Sequence, residues 1–298
     1  MSNRLEGIIV KGIGGFYYVE AADRIYECKA RGLFRLQELV PTVGDRCIII
    51  VSEDGSAVID SISPRRNIFV RPAVANLDKM FVVAAMKDPA PNMLVIDRVV
   101  AAAEYADVEP VVVLTKVDLA PCDKVREIYE KAGLTVITVD YRTGEGVEQV
   151  KKEMTGCFSA FAGNSGVGKS TLLNAIDPTL SQKTADISRK LGRGRHTTRE
   201  VELFRLPFGG MIADTPGFSS FDGEVGAVIE KDQLKYCFRE FAEHFGNCRF
   251  ASCAHVCEKG CSVLAAVKSG QIAKSRHESY VAMYEEAKLI KPWENKKK

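Results

Sequence analysis

The first sixty residues contain short runs in which hydrophobic and polar positions alternate, a period of two that is typical of half-buried β-strands. Glycine, aspartate and other turn-forming residues separate these runs. The pattern predicts five strands, "LEGIIVK", "GFYYVEA", "RIYECKA", "DRCIIIV" and "SAVIDSI". Five short strands favour a small barrel of the OB type, a fold that often binds oligonucleotides. A barrel used only for packing is an equally good interpretation of the pattern.

From residue 79 onwards, hydrophobic runs alternate with segments whose apolar residues have helical spacing. This alternation predicts a mostly parallel sheet with helices on both faces. The predicted strands are "KMFVVAAM", "EPVVVLT", "LTVITV", "CFSAFAG", "EVELFRLP" and "GMIAD". The predicted helices between them include "NMLVIDRVVAAAEYA", "PCDKVREIYEKAG" and "EGVEQVKKEM". After residue 222 two further helical stretches flank a group of cysteines, so the chain is expected to be multidomain α/β.

Length and composition are those of a soluble globular protein. The 298 residues allow two or three domains, and 46% are hydrophobic and 27% charged. The formal net charge of +2 means that a nucleic-acid partner would have to meet local basic patches. The N-terminus has no long apolar run behind a basic start, so we expect a cytoplasmic protein without a membrane partner.

The stretch "GNSGVGKST" matches G-x-x-x-x-G-K-[ST] and lies between a predicted strand and a predicted helix. Its glycines allow backbone N–H groups to surround phosphate oxygens, and the N-terminus of the following helix adds a favourable dipole. We expect Lys169 to reach the β- and γ-phosphates and the Ser170 hydroxyl to bind Mg²⁺. The expected phosphate-binding residues are Gly163, Asn164, Ser165, Gly166, Val167, Gly168, Lys169, Ser170 and Thr171.

The stretch "ADTPG" follows a hydrophobic strand and has the D-x-x-G spacing, which would be a weak signal alone. Asp214 is suited to hold Mg²⁺ through a water molecule, and Gly217 to sense the γ-phosphate. Together with Ser170, Asp214 therefore belongs to a predicted magnesium site.

The stretch "TKVD" ends another predicted strand and resembles the segment that reads guanine in G proteins. The two carboxylate oxygens of Asp118 can accept hydrogen bonds from guanine N1–H and its exocyclic amine, a donor pair that adenine lacks. Lys116 is expected to pack across the loop and the base. Thr115 stands where G proteins more often have asparagine, so one contact is weaker or is supplied differently. The expected base-binding residues are Thr115, Lys116, Val117 and Asp118.

The stretch "VDYRTGEG" loosely resembles the last base-contacting loop of G proteins, which is commonly Ser-Ala-Lys. Asp140, Tyr141 and Arg142 stand in its place, and a simple turn between a strand and a helix explains the same residues. The motif order is therefore base reader, base loop, phosphate loop, switch and D-x-x-G. This order is that of a G domain opened after D-x-x-G, with its conventional ends joined through the helix near residues 146–154. Domain termini often lie close together, which makes such a permutation inexpensive.

Four of the nine cysteines and one histidine of the chain crowd into "CRFASCAHVCEKGC". The spacing C-x4-C-x-H-x5-C supplies three thiolates and one imidazole, a full tetrahedral set for one structural Zn²⁺ that leaves no position open for catalysis. Cys257 is a further candidate that could replace one ligand, and unligated cysteines are the alternative. The predicted zinc ligands are Cys248, Cys253, His255 and Cys261.

The order of these parts over essentially the whole chain resembles one family, the circularly permuted ribosome small subunit-dependent GTPases A. The shared parts are the N-terminal barrel, "ANLDKM", "TKVD", "GNSGVGKST", "GRHTT", "DTPGF" and the zinc-site spacing. The resemblance implies a Mg²⁺-dependent GTPase that joins late maturation of the small ribosomal subunit and is stimulated by it. GTP hydrolysis on the ribosome would trigger release of the GTPase itself or of another factor. Thr115 and Cys257 depart from the pattern and affect only base contact and ligand choice.

The basic segment "SRKLGRGRHTTRE", residues 188–200, occupies the position of switch I. It is either a loop that attracts RNA or a solvated run of charges. Thr197 or Thr198 is expected to bind Mg²⁺, and the family pattern favours Thr198.

Phe218 stands where many G proteins have a water-orienting glutamine, and an apolar ring cannot orient water. We therefore hypothesise that His196, ordered by the ribosome, positions the attacking water; a surface histidine that touches RNA or nothing is the alternative.

These expectations divide the chain into three parts: an OB-fold RNA-binding barrel over 1–67, a circularly permuted GTPase domain over 68–222 and a helical zinc-binding domain over 223–298. The predicted partners are GTP, the small ribosomal subunit and its rRNA, and the chain is expected to be a monomer. Two other functions remain open. One is a GTP-dependent rRNA-binding module with incidental hydrolysis, and the other is a GTPase of tRNA modification or metal delivery, in which the zinc would be exchangeable.

Overall fold

The N-terminal part of the chain is a closed five-stranded barrel, as the sequence predicts. The computed structural model describes residues 3–36, 39–69, 72–180, 201–214 and 228–290. The barrel strands are β1 (Asn3–Ile13), β2 (Phe16–Ala21), β3 (Arg24–Ala30), β4 (Arg46–Val51) and β5 (Ala57–Ile62), with a short helix α1 (Leu33–Leu36) after β3. The strand order is β1-β2-β3-β5-β4, and β4 pairs with β1 to close the barrel. All pairs are antiparallel except β3 with β5.

A six-stranded sheet follows the barrel, after a two-stranded ribbon of β6 (Ile68–Phe69) and β7 (Val74–Ala75). Its strands are β8 (Lys79–Ala85), β9 (Glu109–Thr115), β10 (Thr135–Val139), β11 (Phe158–Ala162), β12 (Glu202–Arg205) and β13 (Met211–Asp214). The order is β10-β9-β8-β11-β13-β12, and only β12 is antiparallel to its neighbour in this set. The mostly parallel sheet predicted from the sequence is confirmed.

Helices cover both faces of this sheet because its central strands are apolar on both sides. Met80, Val82 and Ala84 of β8 belong to a core that includes α2 (Met93–Tyr105) and α3 (Asp123–Lys131). The intervening residues of β8 belong to a second core on the other face, with α4 (Val147–Met154) and α5 (Lys169–Ile176). Among the helices that the structure describes, none combines the length and the apolar surface needed to cross a lipid bilayer.

The barrel and the sheet share one hydrogen-bonded ladder. Edge strand β12 pairs with β1 of the barrel at Lys11 and Glu202, so the two sheets form a continuous eleven-stranded arrangement. The Lys11 ammonium lies 2.8 Å from a carboxylate oxygen of Glu202, and both side chains are partly buried. The position of the barrel relative to β12 is therefore fixed by backbone pairing and by charge.

The C-terminal part is helical but less regular than its sequence suggests. It contains α6 (Lys231–Leu234), two 3-10 helices (Lys235–Cys237 and Arg239–His244), α7 (Ser262–Ser269) and α8 (Lys274–Leu289). The apolar stretch before the cysteines does not form one long α-helix within the described residues, because Phe238 adopts φ −117° and ψ 89°. Cys237 and Phe238, which flank this break, are both buried.

A buried cluster of charges joins this C-terminal part to the sheet domain. The guanidinium of Arg276 in α8 donates to Asp97 of α2 at 2.8 Å and to Glu240 at 2.8 and 3.1 Å. The Arg276 side chain is 1% exposed, and its guanidinium lies 4.6 Å from the ring centre of Phe238. One cation thus compensates two buried carboxylates from separate parts of the chain.

Replacing Arg276 with methionine is expected to destabilise the chain by about 3–5 kcal/mol, because two carboxylates would lose their buried counter-charge. The free energy of unfolding measured by urea denaturation checks this prediction. Arg126→Met is the matched control, since Arg126 pairs with Asp123 at the surface and its loss should cost at most about 1 kcal/mol. Equal effects of the two substitutions would contradict this account of the cluster.

Candidate functional site

The segments predicted to bind nucleotide meet at one edge of the sheet. Thr115 ends β9, Asp140 follows β10, Gly163 follows β11 and Asp214 ends β13. These four strands are mutually parallel, so their carboxyl ends lie at the same edge, where open α/β sheets bind ligands. Strands β9 and β11 are separated only by β8, which places the base-reading and phosphate-binding segments about 10 Å apart. That span suits a nucleotide lying across the edge.

The phosphate loop leads from β11 directly into α5, which begins at Lys169. Gly163 has φ +154°, and a Cβ there would lie 2.4 Å from the carbonyl oxygen of Val83, so a side chain cannot be accommodated. The Lys169 ammonium donates to the carbonyls of Gly163 at 2.6 Å and of Asn164 at 2.7 Å. The loop therefore curls around the lysine, the arrangement expected of a phosphate cradle.

Burial lowers the pKa of Lys169 to about 8. An adjacent anion favours the charged form of an amine, so a phosphate bound in the loop would raise this pKa again. Ser170, the next residue of α5, is exposed. The buried amine of Lys169 thus favours an anionic ligand in the loop.

The base-reading segment begins with a buried residue, Thr115, and ends with an exposed one, Asp118. Thr115 is fully buried, and its hydroxyl donates to the carbonyl of Val167 in the phosphate loop at 2.6 Å. Lys116 adopts φ +55°, and its ammonium donates to the carbonyl of Asp88 in the loop after β8. Asp118 lies in the turn beyond and is exposed. Its carboxylate is therefore accessible to a base.

The loop after β10 contacts the phosphate loop, a feature that the sequence analysis missed. Asp140 forms a turn by accepting from the backbone N–H groups of Arg142 at 2.7 Å and Thr143 at 3.3 Å. The hydroxyl of Tyr141 donates to the carbonyl of Gly168 at 2.8 Å. A loose match to a base-contacting motif was the only sequence signal here, and it gave no reason to expect a contact with the phosphate side.

Several predicted site residues lie outside the described part of the chain. They are His196, Thr197, Thr198, Gly217 and Phe218. The backbone of Asp214 is described as the end of β13, next to the phosphate-loop strand β11. Strand pairing therefore places the first residue of D-x-x-G next to the strand that leads into the phosphate loop.

A second candidate site, the Cys3His cluster, lies in the C-terminal part. The ligand atoms of Cys248, Cys253, His255 and Cys261 all lie within 4.8 Å of one another. The Cys248 and Cys261 sulfurs are 4.0 Å apart, and His255 Nδ1 lies 3.6 and 3.4 Å from them. Ideal tetrahedral zinc would separate two sulfurs by about 3.8 Å and a sulfur from a nitrogen by about 3.6 Å. The residues therefore fit one zinc ion.

Surrounding groups hold the cluster in shape. Glu258 accepts hydrogen bonds from the backbone N–H groups of residues 254, 256 and 257 at 2.8–3.0 Å. The His255 carbonyl accepts from Nε2 of the buried His277 at 2.8 Å. Burial lowers the pKa of His255, which favours the neutral imidazole that coordinates metals. Cys257 is exposed and is not part of the cluster.

Family models match most of the chain. The model described as RsgA GTPase matches residues 62–224, and the model described as RsgA N-terminal domain matches residues 6–59. The first covers the whole mostly parallel sheet and the second covers most of the barrel. Each match thus coincides with a separate part of the fold.

Full-length relatives and solved structures give the same result. The small ribosomal subunit biogenesis GTPase RsgA of Moorella thermoacetica is 43% identical over 95% of this chain and 97% of its own length. The protein of that name from Caldanaerobacter subterraneus is 43% identical over 96% of both chains. The crystal structure of YjeQ from Thermotoga maritima superposes with a TM-score of 0.81 at 36% identity, covering 97% of this chain and 100% of its own. That of YloQ, a circularly permuted GTPase, superposes with a TM-score of 0.78 at 32% identity, covering 97% of each chain. By sequence and by fold, this chain belongs to the RsgA GTPase family.

Proposed function

We propose that this chain is a GTPase that acts in the late maturation of the small ribosomal subunit and hydrolyses GTP there to trigger release. The main support for this proposal is that the strands leading into the phosphate loop, "TKVD" and D-x-x-G all end at the same edge of the sheet. The names of the full-length relatives support the ribosomal part of the proposal. We expect the chain to act as a monomer in the cytoplasm.

Each nucleotide-binding residue has a distinct part in this proposal. Asp118 accepts from the guanine N1–H and exocyclic amine, and Lys116 covers the base. Backbone N–H groups of residues 163–171 bind the phosphates, and Lys169 stabilises the charge that develops on the transferred group. Gly217 senses the γ-phosphate. The exposure of Asp118 and the curled phosphate loop support these assignments.

Ser170, Thr198 and Asp214 are proposed to hold Mg²⁺ with the nucleotide. Mg²⁺ would neutralise charge on the β- and γ-phosphates. Ser170 is the second residue of α5, and the backbone of Asp214 ends the strand beside the phosphate-loop strand, so both residues lie at the sheet edge where the phosphate loop is. Oxygen donors are what this cation prefers.

The flanking parts are proposed to bind rRNA and to carry structural zinc. The OB-type barrel and the basic segment 188–200 would contact rRNA, in agreement with the function of the fold elsewhere. The four zinc ligands leave no open coordination position, and three of the four residues are buried. This enclosure favours a structural ion over one that is delivered to another protein.

Addition of purified small ribosomal subunits is expected to raise the GTP turnover of this chain by at least about tenfold, because activation by a partner supplies missing transition-state groups. Steady-state phosphate release checks the prediction. Large subunits and ATP are the matched controls, and neither should support the faster rate. Equal turnover of ATP, or no response to small subunits, would contradict the proposed function.

His196→Ala is expected to reduce the subunit-stimulated rate by about 10²-fold or more while GTP affinity stays unchanged, because a water-positioning group acts only in the transition state. Single-turnover rates at saturating subunit concentration separate this effect from binding. Arg195→Ala, which removes a neighbouring charge, should weaken subunit binding but leave the saturated rate unchanged. Unaltered stimulation in His196→Ala would reject the catalytic role.

Cys253→Ser is expected to lose zinc and to unfold the C-terminal domain, because a missing thiolate opens the tetrahedral set. Cys257→Ser is the matched control, because Cys257 is exposed and lies outside the cluster. Zinc content after dialysis against a chelator and thermal denaturation test both variants. Equal zinc retention by the two variants would show that the ligand assignment is wrong.

A further inference from the structure

Two side-chain hydroxyls hold consecutive carbonyls of the phosphate loop. Thr115 donates to the carbonyl of Val167 at 2.6 Å, and Tyr141 donates to the carbonyl of Gly168 at 2.8 Å. The two donors come from different segments, the end of β9 and the loop after β10. Both segments are on the base side of the site, whereas both acceptors are on the phosphate side.

The contact of Tyr141 with the phosphate loop is close and partly buried. Gly168 has φ +97°, and a Cβ on it would lie 2.9 Å from the Tyr141 hydroxyl and 3.1 Å from a ring carbon. The ring therefore covers a glycine that has no room for a side chain. The Gly168 carbonyl also accepts from the Leu172 N–H in the first turn of α5 at 2.8 Å. The Gly168 carbonyl oxygen thus accepts two hydrogen bonds, one within α5 and one from Tyr141.

Peptide geometry connects these carbonyls to the groups that would bind phosphate. In a trans peptide unit, the C=O of one residue and the N–H of the next point in opposite directions. Holding the Val167 and Gly168 carbonyls from outside the loop therefore turns the N–H groups of Gly168 and Lys169 toward its interior. Those N–H groups are the ones that a phosphate-binding loop presents to its ligand.

We propose that Tyr141 is a positioning residue that, together with Thr115, fastens the two base-side loops to the phosphate loop and so preorganises the cradle for the β-phosphate. This inference rests on the proposed function, since it assumes that the cradle binds a guanine nucleotide.

Tyr141→Phe tests the proposal because it removes the hydroxyl and keeps the ring. The dissociation constants of GTP and GDP are expected to rise by about 2- to 10-fold, the range for loss of one hydrogen bond. The dissociation constant of GMP, which lacks a β-phosphate, should not change. In the nucleotide-free chain, the peptide covering residues 163–176 should exchange its amide hydrogens faster. Thr115→Val should act in the same direction, and Thr115→Ser, which keeps the hydroxyl, should not.

Tyr105→Phe is the matched control, because Tyr105 lies at the exposed end of α2. It should change none of these quantities. An equal loss of GMP affinity in Tyr141→Phe would overturn the proposal by placing Tyr141 on the base. Unchanged GDP affinity with unchanged hydrogen exchange would overturn it as well. If the unaltered chain bound no guanine nucleotide, the proposed function would fail, and the exchange rates of the nucleotide-free variants would still decide whether the hydroxyls order the loop.

Discussion

The structure depends on one constraint, namely that parallel strands bring their carboxyl ends to the same edge of a sheet. In this chain β10, β9, β8, β11 and β13 all run in parallel, and each nucleotide-binding segment begins where one of them ends. The order in which the chain visits these strands does not alter the edge that results. A permuted chain can therefore rebuild the same site, provided that its new connection, here α4 between β10 and β11, is as short as ordinary crossover connections.

Permutation also determines which parts of the chain follow, in sequence, the segments that are proposed to respond to the nucleotide. The basic segment 188–200 precedes β12, whose Glu202 pairs with Lys11 of the barrel. The D-x-x-G segment follows β13 and leads in sequence to the C-terminal domain, which is anchored on α2 by the Arg276 cluster. In the sequence, one segment thus leads into the strand that contacts the barrel, and the other leads into the C-terminal domain.

Features that depend only on residues close together in the sequence were predictable. Alternation of apolar residues gave the five barrel strands, and the glycine spacing placed the phosphate loop between β11 and α5. The Cys3His cluster was predictable for the same reason, since its four residues fall within a stretch of fourteen and only a local turn is needed to gather them. The order of the motifs predicted the circular permutation, because each motif is recognisable wherever it occurs in the chain.

Features that depend on distant partners were not predictable in the same way. The break at Phe238 lies in an apolar stretch with helical spacing, and the residues beside it pack in one core with residues of α2 and α8. Asp97 within the apolar helix α2 was a signal of a buried pair, but it did not indicate that Arg276 would be its partner. The hydroxyls of Thr115 and Tyr141 show the limit most clearly. Each belongs to a segment that the sequence associated with the base, and only the three-dimensional arrangement shows that both donate to carbonyls of the phosphate loop.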